Sequence, residues 1–260
     1  QKEDKLIYED PEHPQWGFGV GITDDEKYMI LYVTESTSGN GLYIKDMTKK
    51  GAKIQKIITT FDKDYGVIDH INGKILINTN DGASRYKIMA MDPNNPAIEN
   101  WTEFIPEEEG VLRGTSLVGG KMILNYMKDA RSQIKIFNLD GEYLYDLDNE
   151  MVGSIGGFGG KLKDMETFYT VTSFTTPSTV YRYDVENNKS EIYQTSAVDF
   201  DATKYETKQV FYESKDGTKV PMFIVHKKGL KLDGKRPTLL YGYGGFNVSL
   251  TPSFSITRLI

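Results

Sequence analysis

Cysteine is absent from the 260 residues, which excludes disulfides, thiolate metal sites and a cysteine nucleophile. No apolar stretch approaches the roughly 18 residues of a membrane-crossing helix, so no membrane partner is expected. There is no run of Lys or Arg and the net charge is -6, which argues against nucleic acid, whose binders usually carry a basic patch. Histidine is scarce. His13 sits beside Pro14 in a loop, His70 ends a strand, and His226 lies inside the run Phe223-Ile224-Val225-His226; none has the partner a catalytic base needs. No Gly-x-Ser-x-Gly nucleophile elbow occurs either, and Gly153-Ser154-Ile155-Gly156-Gly157 lacks its spacing and reads as a strand start. The opening Gln1-Lys2-Glu3-Asp4-Lys5 is no signal peptide, and nothing in the composition decides between a cytoplasmic and a periplasmic location.

What is present in quantity is aromatic. Seventeen Tyr and twelve Phe against 9 Pro and 25 Gly suit many short strands and turns. Residues 15–195 carry a repeat. Apolar strands close on Asp46, Asp92, Asp140 and Asp184, spaced 46, 48 and 44 residues, and a turn marker recurs at Asp25, Gly73, Gly120 and Asp164, spaced 48, 47 and 44. A period in the forties with several short strands per repeat is the signature of a β-propeller blade. In the first repeat 17–22, 28–34, 41–46 and 53–58 read as four strands, with Asp24-Asp25-Glu26-Lys27 as a polar hairpin. Asn72-Gly73 separates strands at 67–71 and 74–78, Gly119-Gly120 separates 111–118 from 121–127, and the fourth repeat runs from Gly153 to about Tyr193. Trp16 and Phe18 are candidates to face a central cavity, though core packing is the commoner role for such singletons.

After Tyr193 the period stops. Residues 199–205 form a polar crossing segment, 207–213 and 219–226 a hairpin around Lys215-Asp216-Gly217, and 227–235 a solvated basic loop. Residues 238–243 read as a short buried strand, after which Gly244-Gly245 frees the backbone to turn sharply. A phenol at such a turn can donate to a developing oxyanion, and its reference pKa of about 10 keeps it protonated. Glu107-Glu108-Glu109 and Asp62-Lys63-Asp64 read as plainly solvated loops, Asp81-Gly82 and Asn94-Asn95 as turns; no metal site and no cofactor are implied.

The string Tyr241-Gly242-Tyr243-Gly244-Gly245-Phe246-Asn247-Val248-Ser249-Leu250-Thr251-Pro252, with Arg236-Pro237-Thr238 before it and Arg258-Leu259-Ile260 after it, resembles the prolyl oligopeptidases, also called prolyl endopeptidases. Ser214-Lys215-Asp216-Gly217-Thr218-Lys219-Val220-Pro221-Met222-Phe223 resembles the same family, and the likeness continues more weakly to the N-terminus. It implies a mostly β chain: about four blades (1–198) of a seven-bladed propeller, followed by the first strands of an α/β-hydrolase domain (199–260). It also implies that the catalytic Ser, Asp and His come later than the residues given, so that this chain by itself is inactive. Tyr243 is then the oxyanion-hole phenol, Phe246 the aromatic against the substrate proline ring, and Asn247 a motif residue suited to stabilising the turn. Asn247-Val248-Ser249 also fits a glycosylation acceptor, discounted as chance inside a buried motif. The implied activity is serine-type hydrolysis of short peptides on the carboxyl side of proline, with the propeller as size filter and no obligate protein partner. The alternative is a non-catalytic propeller that binds a peptide or protein; the tail from Thr207 onward speaks against it, because a simple scaffold does not need one.

Overall fold

In the computed structural model residues 3–147 and 152–259 are described; Gln1, Lys2 and Ile260, quoted above, lie outside them. The chain divides into two compact units, Gln1–Glu108 and Glu109–Ile260. The first unit holds two antiparallel four-stranded meanders: β1 (Gly17–Ile22), β2 (Tyr28–Thr34), β3 (Gly41–Asp46) and β4 (Gln55–Ile58), then β5 (Tyr65–Ile71), β6 (Lys74–Thr79), β7 (Lys87–Met91) and β8 (Thr102–Ile105). The second unit holds two more: β9 (Val111–Val118), β10 (Lys121–Lys128), β11 (Arg131–Asn138) and β12 (Tyr143–Asp146), then β13 (Ser154–Gly157), β14 (Glu166–Thr172), β15 (Thr179–Asp184) and β16 (Lys189–Gln194). It also holds a two-stranded hairpin, β17 (Tyr205–Glu213) and β18 (Lys219–Lys227). Four-stranded architecture therefore gives way to a hairpin between Gln194 and Tyr205.

Each sheet is a meander because its turns are built for one. Asp25, Gly73, Gly120 and Asp164 all fall between the first and second strands of their sheets, as their spacing predicts. The second marker needs a correction. β3 and β15 end on Asp46 and Asp184, and Asp92 directly follows β7; the carboxylates of Asp46, Asp92 and Asp184 accept from Thr48 N (3.0 Å), Asn94 N (2.9 Å) and Asn187 N (2.9 Å). In the third sheet that role belongs to Asn138, whose Oδ1 accepts from Asp140 N at 3.0 Å and Glu142 N at 2.9 Å. Asp140 is the partner, not the marker. With Asn138 in place the markers stand 46 residues apart at every step. An amide oxygen closes such a side-chain turn as a carboxylate does, and a search for Asp alone misses it.

The sheets bury themselves against each other in pairs. In the first unit Ile30, Leu42, Ile44 and Ile58 meet Tyr65, Ile75, Ile77 and Met91 of the second sheet and Trp101, which directly precedes β8. In the second unit Val118, Ile123, Ile134 and Ile136 meet Ile155, Tyr169, Val171 and Tyr183. Fully burying one such side chain stabilises by about 1.5–3 kcal/mol. β6 is covered on both faces, with Ile75, Leu76 and Ile77 all buried, which is why its alternation is faint in the sequence. Trp16 joins the core: it packs with Phe61 against Leu31, Val33 and Tyr43. Phe18, 45% exposed, meets the ring of Tyr8.

Side chains lock each pair of sheets. Asn40 offers its amide to the main chain of Tyr65 like a strand residue: Nδ2 donates to Tyr65 O (3.0 Å) and Oδ1 accepts from Tyr65 N (2.9 Å). Its own N–H bonds Lys63 O at 2.9 Å. Gly39 beside it has φ +72, and a Cβ there would lie 1.8 Å from Phe61 O, so only glycine fits. Between the third and fourth sheets Ser132 does the same work. Its N–H bonds Gly153 O (3.2 Å), and its hydroxyl accepts from Ile155 N (2.9 Å) while donating to Ile155 O (3.4 Å).

Candidate functional site

The chain beyond β18 is tied to the fourth sheet at its far end. Ser154 Oγ donates to Pro252 O at 2.7 Å, Phe254 N donates to Thr172 Oγ1 at 3.4 Å, and the Phe254 ring meets Phe200 at 5.2 Å. Tyr205 Oη donates to Leu259 O at 3.0 Å. The hairpin is held too: Gln209 Nε2 donates to Asp129 O at 2.6 Å, and Phe174 packs on Phe223. Between these anchors, residues 231–250 lie almost wholly on the surface.

That stretch carries the three expected site residues. Residues 238–243 do not form the buried strand that their composition suggests: they have no strand assignment, and Leu239 and Leu240 are 77% and 86% exposed. The physical reason is pairing. An apolar strand needs neighbours for its N–H and C=O groups and cover for its faces, and among the described residues none pairs with this one. The turn that follows is also built differently. Gly244 and Gly245 do not take up the left-handed backbone; Phe246 (φ 52) and Asn247 (φ 54) do, closed by Val248 N donating to Gly245 O at 3.1 Å. Two central residues with positive φ make the type I′ pattern, natural for Asn and unusual for Phe. Gly245 contributes space instead, because a Cβ there would meet Tyr243 Oη at 3.3 Å.

Tyr243 is therefore folded over the turn, half exposed, and its hydroxyl has no hydrogen-bond partner among the described residues. Phe246 is 93% exposed at the tip of the same turn, and Asn247 is exposed beside it. The segment Asn247-Val248-Ser249 is exposed as well, so the buried setting assumed for it does not hold. The structure thus brings Tyr243, Phe246 and Asn247 into one turn, with the phenol and the phenyl ring both open to a further group.

Histidines and acids are better partnered than the sequence indicates. Each histidine reaches a carboxylate: His13 Nδ1 to Asp10 at 3.0 Å, His70 Nδ1 to Asp25 at 2.8 Å, His226 Nδ1 to Glu206 at 3.4 Å. None of them bonds a Ser or Thr hydroxyl among the described residues, so no nucleophile–base pair results. Burial works to raise the Asp25 pKa, but hydrogen bonds from His70, Thr23 and Lys27 outweigh it and hold the carboxyl well below the usual range. Asp64 is not merely solvated: it accepts from Gly39 N (2.9 Å), Asn80 Nδ2 (3.1 Å) and Tyr86 Oη (2.6 Å), joining three loops of the first unit. Glu107 accepts from Arg85 N at 2.6 Å, and Glu109 pairs with Lys128. Of these contacts, Asp25 to His70, Asp64 to Gly39 and Tyr86, and Glu107 to Arg85 link residues 22 or more apart in the chain, beyond the reach of local patterning.

Comparison with known proteins places this arrangement. Residues 1–196 match the family model described as prolyl oligopeptidase, N-terminal β-propeller domain. The chain belongs to the prolyl oligopeptidase family. The fold is accordingly that of propeller blades followed by further structure. The prolyl endopeptidase of Elizabethkingia miricola is 39% identical over the whole chain, and prolyl oligopeptidase A of Amanita bisporigera 36% identical. The chain spans 37% and 35% of the length of these two relatives. Among solved structures, a prolyl endopeptidase studied for inter-domain dynamics is 35% identical with a TM-score of 0.89, over 99% of this chain and 38% of its own. Prolyl oligopeptidase B from Galerina marginata, bound to a 35mer hydrolysis and macrocyclization substrate, is 34% identical with a TM-score of 0.90, over 100% of this chain and 38% of its own.

Proposed function

We propose that this chain is part of a serine-type peptidase that cleaves short peptides on the carboxyl side of proline. Residues 1–198 serve as propeller blades that filter substrates by size, and residues 199–260 begin the hydrolase domain. The observation that carries this reading is the identity of 39% to a prolyl endopeptidase along the whole chain, the 241–247 turn included.

In the longer protein a serine supplied by other sequence attacks the carbonyl and a histidine takes and returns the proton. Tyr243 donates its phenolic hydrogen to the tetrahedral oxyanion, and Phe246 lies against the proline ring. Asn247 holds the left-handed turn that presents both rings. The free Tyr243 hydroxyl and the open face of Phe246 suit groups waiting for substrate. Tyr243→Phe in the longer protein is expected to lower kcat by about 10²–10³, the usual cost of one oxyanion donor, with KM little changed. An unchanged kcat would remove Tyr243 from the mechanism. Phe246→Ala is expected to raise KM for proline peptides instead.

A further inference from the structure

In the second unit the chain displays how one sheet rim holds a peptide. Ser154 and Thr172 are the directly opposed residues that open the β13–β14 ladder. Their hydroxyls take the main chain of 252–254, one donating to a carbonyl and one accepting from an N–H. The same register position in the first sheet is Gly17 opposite Thr34. There no other segment bonds the Thr34 hydroxyl among the described residues, and the rim borders a cleft of about 450 Å³ between the first and second sheets. That volume lies within the roughly 300–1,000 Å³ of ligand pockets.

We propose that this cleft binds an extended peptide backbone. The groups on its wall are those that the occupied rim uses. Thr34, Ser36, Thr37 and Ser38 line it, and none of these hydroxyls has a hydrogen-bond partner among the described residues. At its floor Asn78 Oδ1 is buried and unpartnered, an acceptor that gains a bond when a donor enters. Gly66 opposes Asn78 in the ladder and, without a side chain, leaves the floor open. The carboxylate of the cleft, Asp64, already accepts from Gly39, Asn80 and Tyr86, so the unpartnered groups of the wall are neutral ones that match main-chain amides. Hydroxyls that both donate and accept, spread along a rim, suit the alternating C=O and N–H groups of an extended chain. The assignment rests on the peptide-substrate reading above, and deepens it with a second contact region remote in sequence from Tyr243.

The test is titration of this chain with an uncharged, end-blocked, proline-containing dodecapeptide, followed by amide NMR and calorimetry. Saturable shifts confined to residues 34–40, 64–66 and 78, with affinity falling at least fivefold in T34V and in S38A, are expected. N78L is expected to weaken binding similarly; should it misfold, the two rim variants carry the test. Absence of saturation at millimolar peptide, shifts mapping elsewhere, or undiminished affinity in T34V/S38A would overturn the proposal. The Tyr243→Phe result is independent: peptide binding in the cleft alongside undiminished turnover in Tyr243→Phe would uphold the cleft and reject only the oxyanion role.

Discussion

Ile75 and Leu240 both sit in apolar runs that read as buried strands, and their fates differ completely. Ile75 is fully enclosed in β6, paired with His70 on one side and Met91 on the other, and packed into the core shared by the first two sheets. Leu240 is 86% exposed and has no strand partner among the described residues. Composition does not separate them. What separates them is the presence of adjoining strands, which satisfy the backbone and cover the side chain together. A run of apolar residues thus specifies a strand only where the chain also supplies the sheet.

The sharpest way to break this comparison is to truncate both residues. Ile75→Ala is expected to destabilise the chain by about 2–5 kcal/mol in urea unfolding, the range for a buried aliphatic that leaves a cavity. Leu240→Ala should stay within about 0.5 kcal/mol. A large loss at Leu240 would mean that the tail contributes to the fold despite its exposure.

The next largest effects are expected at the joints. Asn40→Ala removes both partners of the Tyr65 main chain and should cost about 1–3 kcal/mol. Ser132→Ala removes a weaker pair, since one of its two bonds to Ile155 is 3.4 Å long, and belongs at the lower end of that range. Equal losses would show that geometry at the joint is less important than the presence of any hydrogen bond.

The same contrast sets how much of the fold is legible in the sequence. The eight strands whose bounds the pattern sets in the first three sheets agree within two residues, β4 starting at Gln55 instead of Lys53 and β5 at Tyr65 instead of Val67. Such strands are bounded by their own turns, and turn chemistry is local. The family string around Tyr243 was legible for the same reason: it is a contiguous motif. The missed side-chain joints are non-local. Asn40 reaches Tyr65, Asp25 reaches His70 and Asp64 reaches Tyr86, each across 22 or more residues and with no periodic signature. The left-handed pair Phe246-Asn247 was hidden by two glycines that look more suited to the task.

A smaller effect is expected in acid. The folded state depresses the Asp25 pKa, so this carboxylate contributes its full stability above the unfolded value of about 3.9 and loses it as pH falls below that. Asp25→Asn should flatten the stability profile between roughly pH 4 and 2. An unaltered acid limb would show that the His70 contact is not coupled to folding. It would also separate this polar link from the Asn40 joint, whose amide does not titrate.

The smallest expected difference tests the repeat itself. If Asn138 is the third of four equivalent turn residues, the site should accept the residue used by the other three. Asn138→Asp keeps an oxygen for Asp140 N and Glu142 N and should cost well under 1 kcal/mol. Asn138→Ala leaves both N–H groups to solvent and should cost about 1 kcal/mol, moderated because the turn is exposed. A melting-temperature series of these two variants reads the difference directly. Were Asp to behave like Ala, the carboxamide's own N–H to Glu142, at 2.8 Å, would be the essential bond. The third turn would then be a local solution, distinct from the carboxylate turns at Asp46, Asp92 and Asp184.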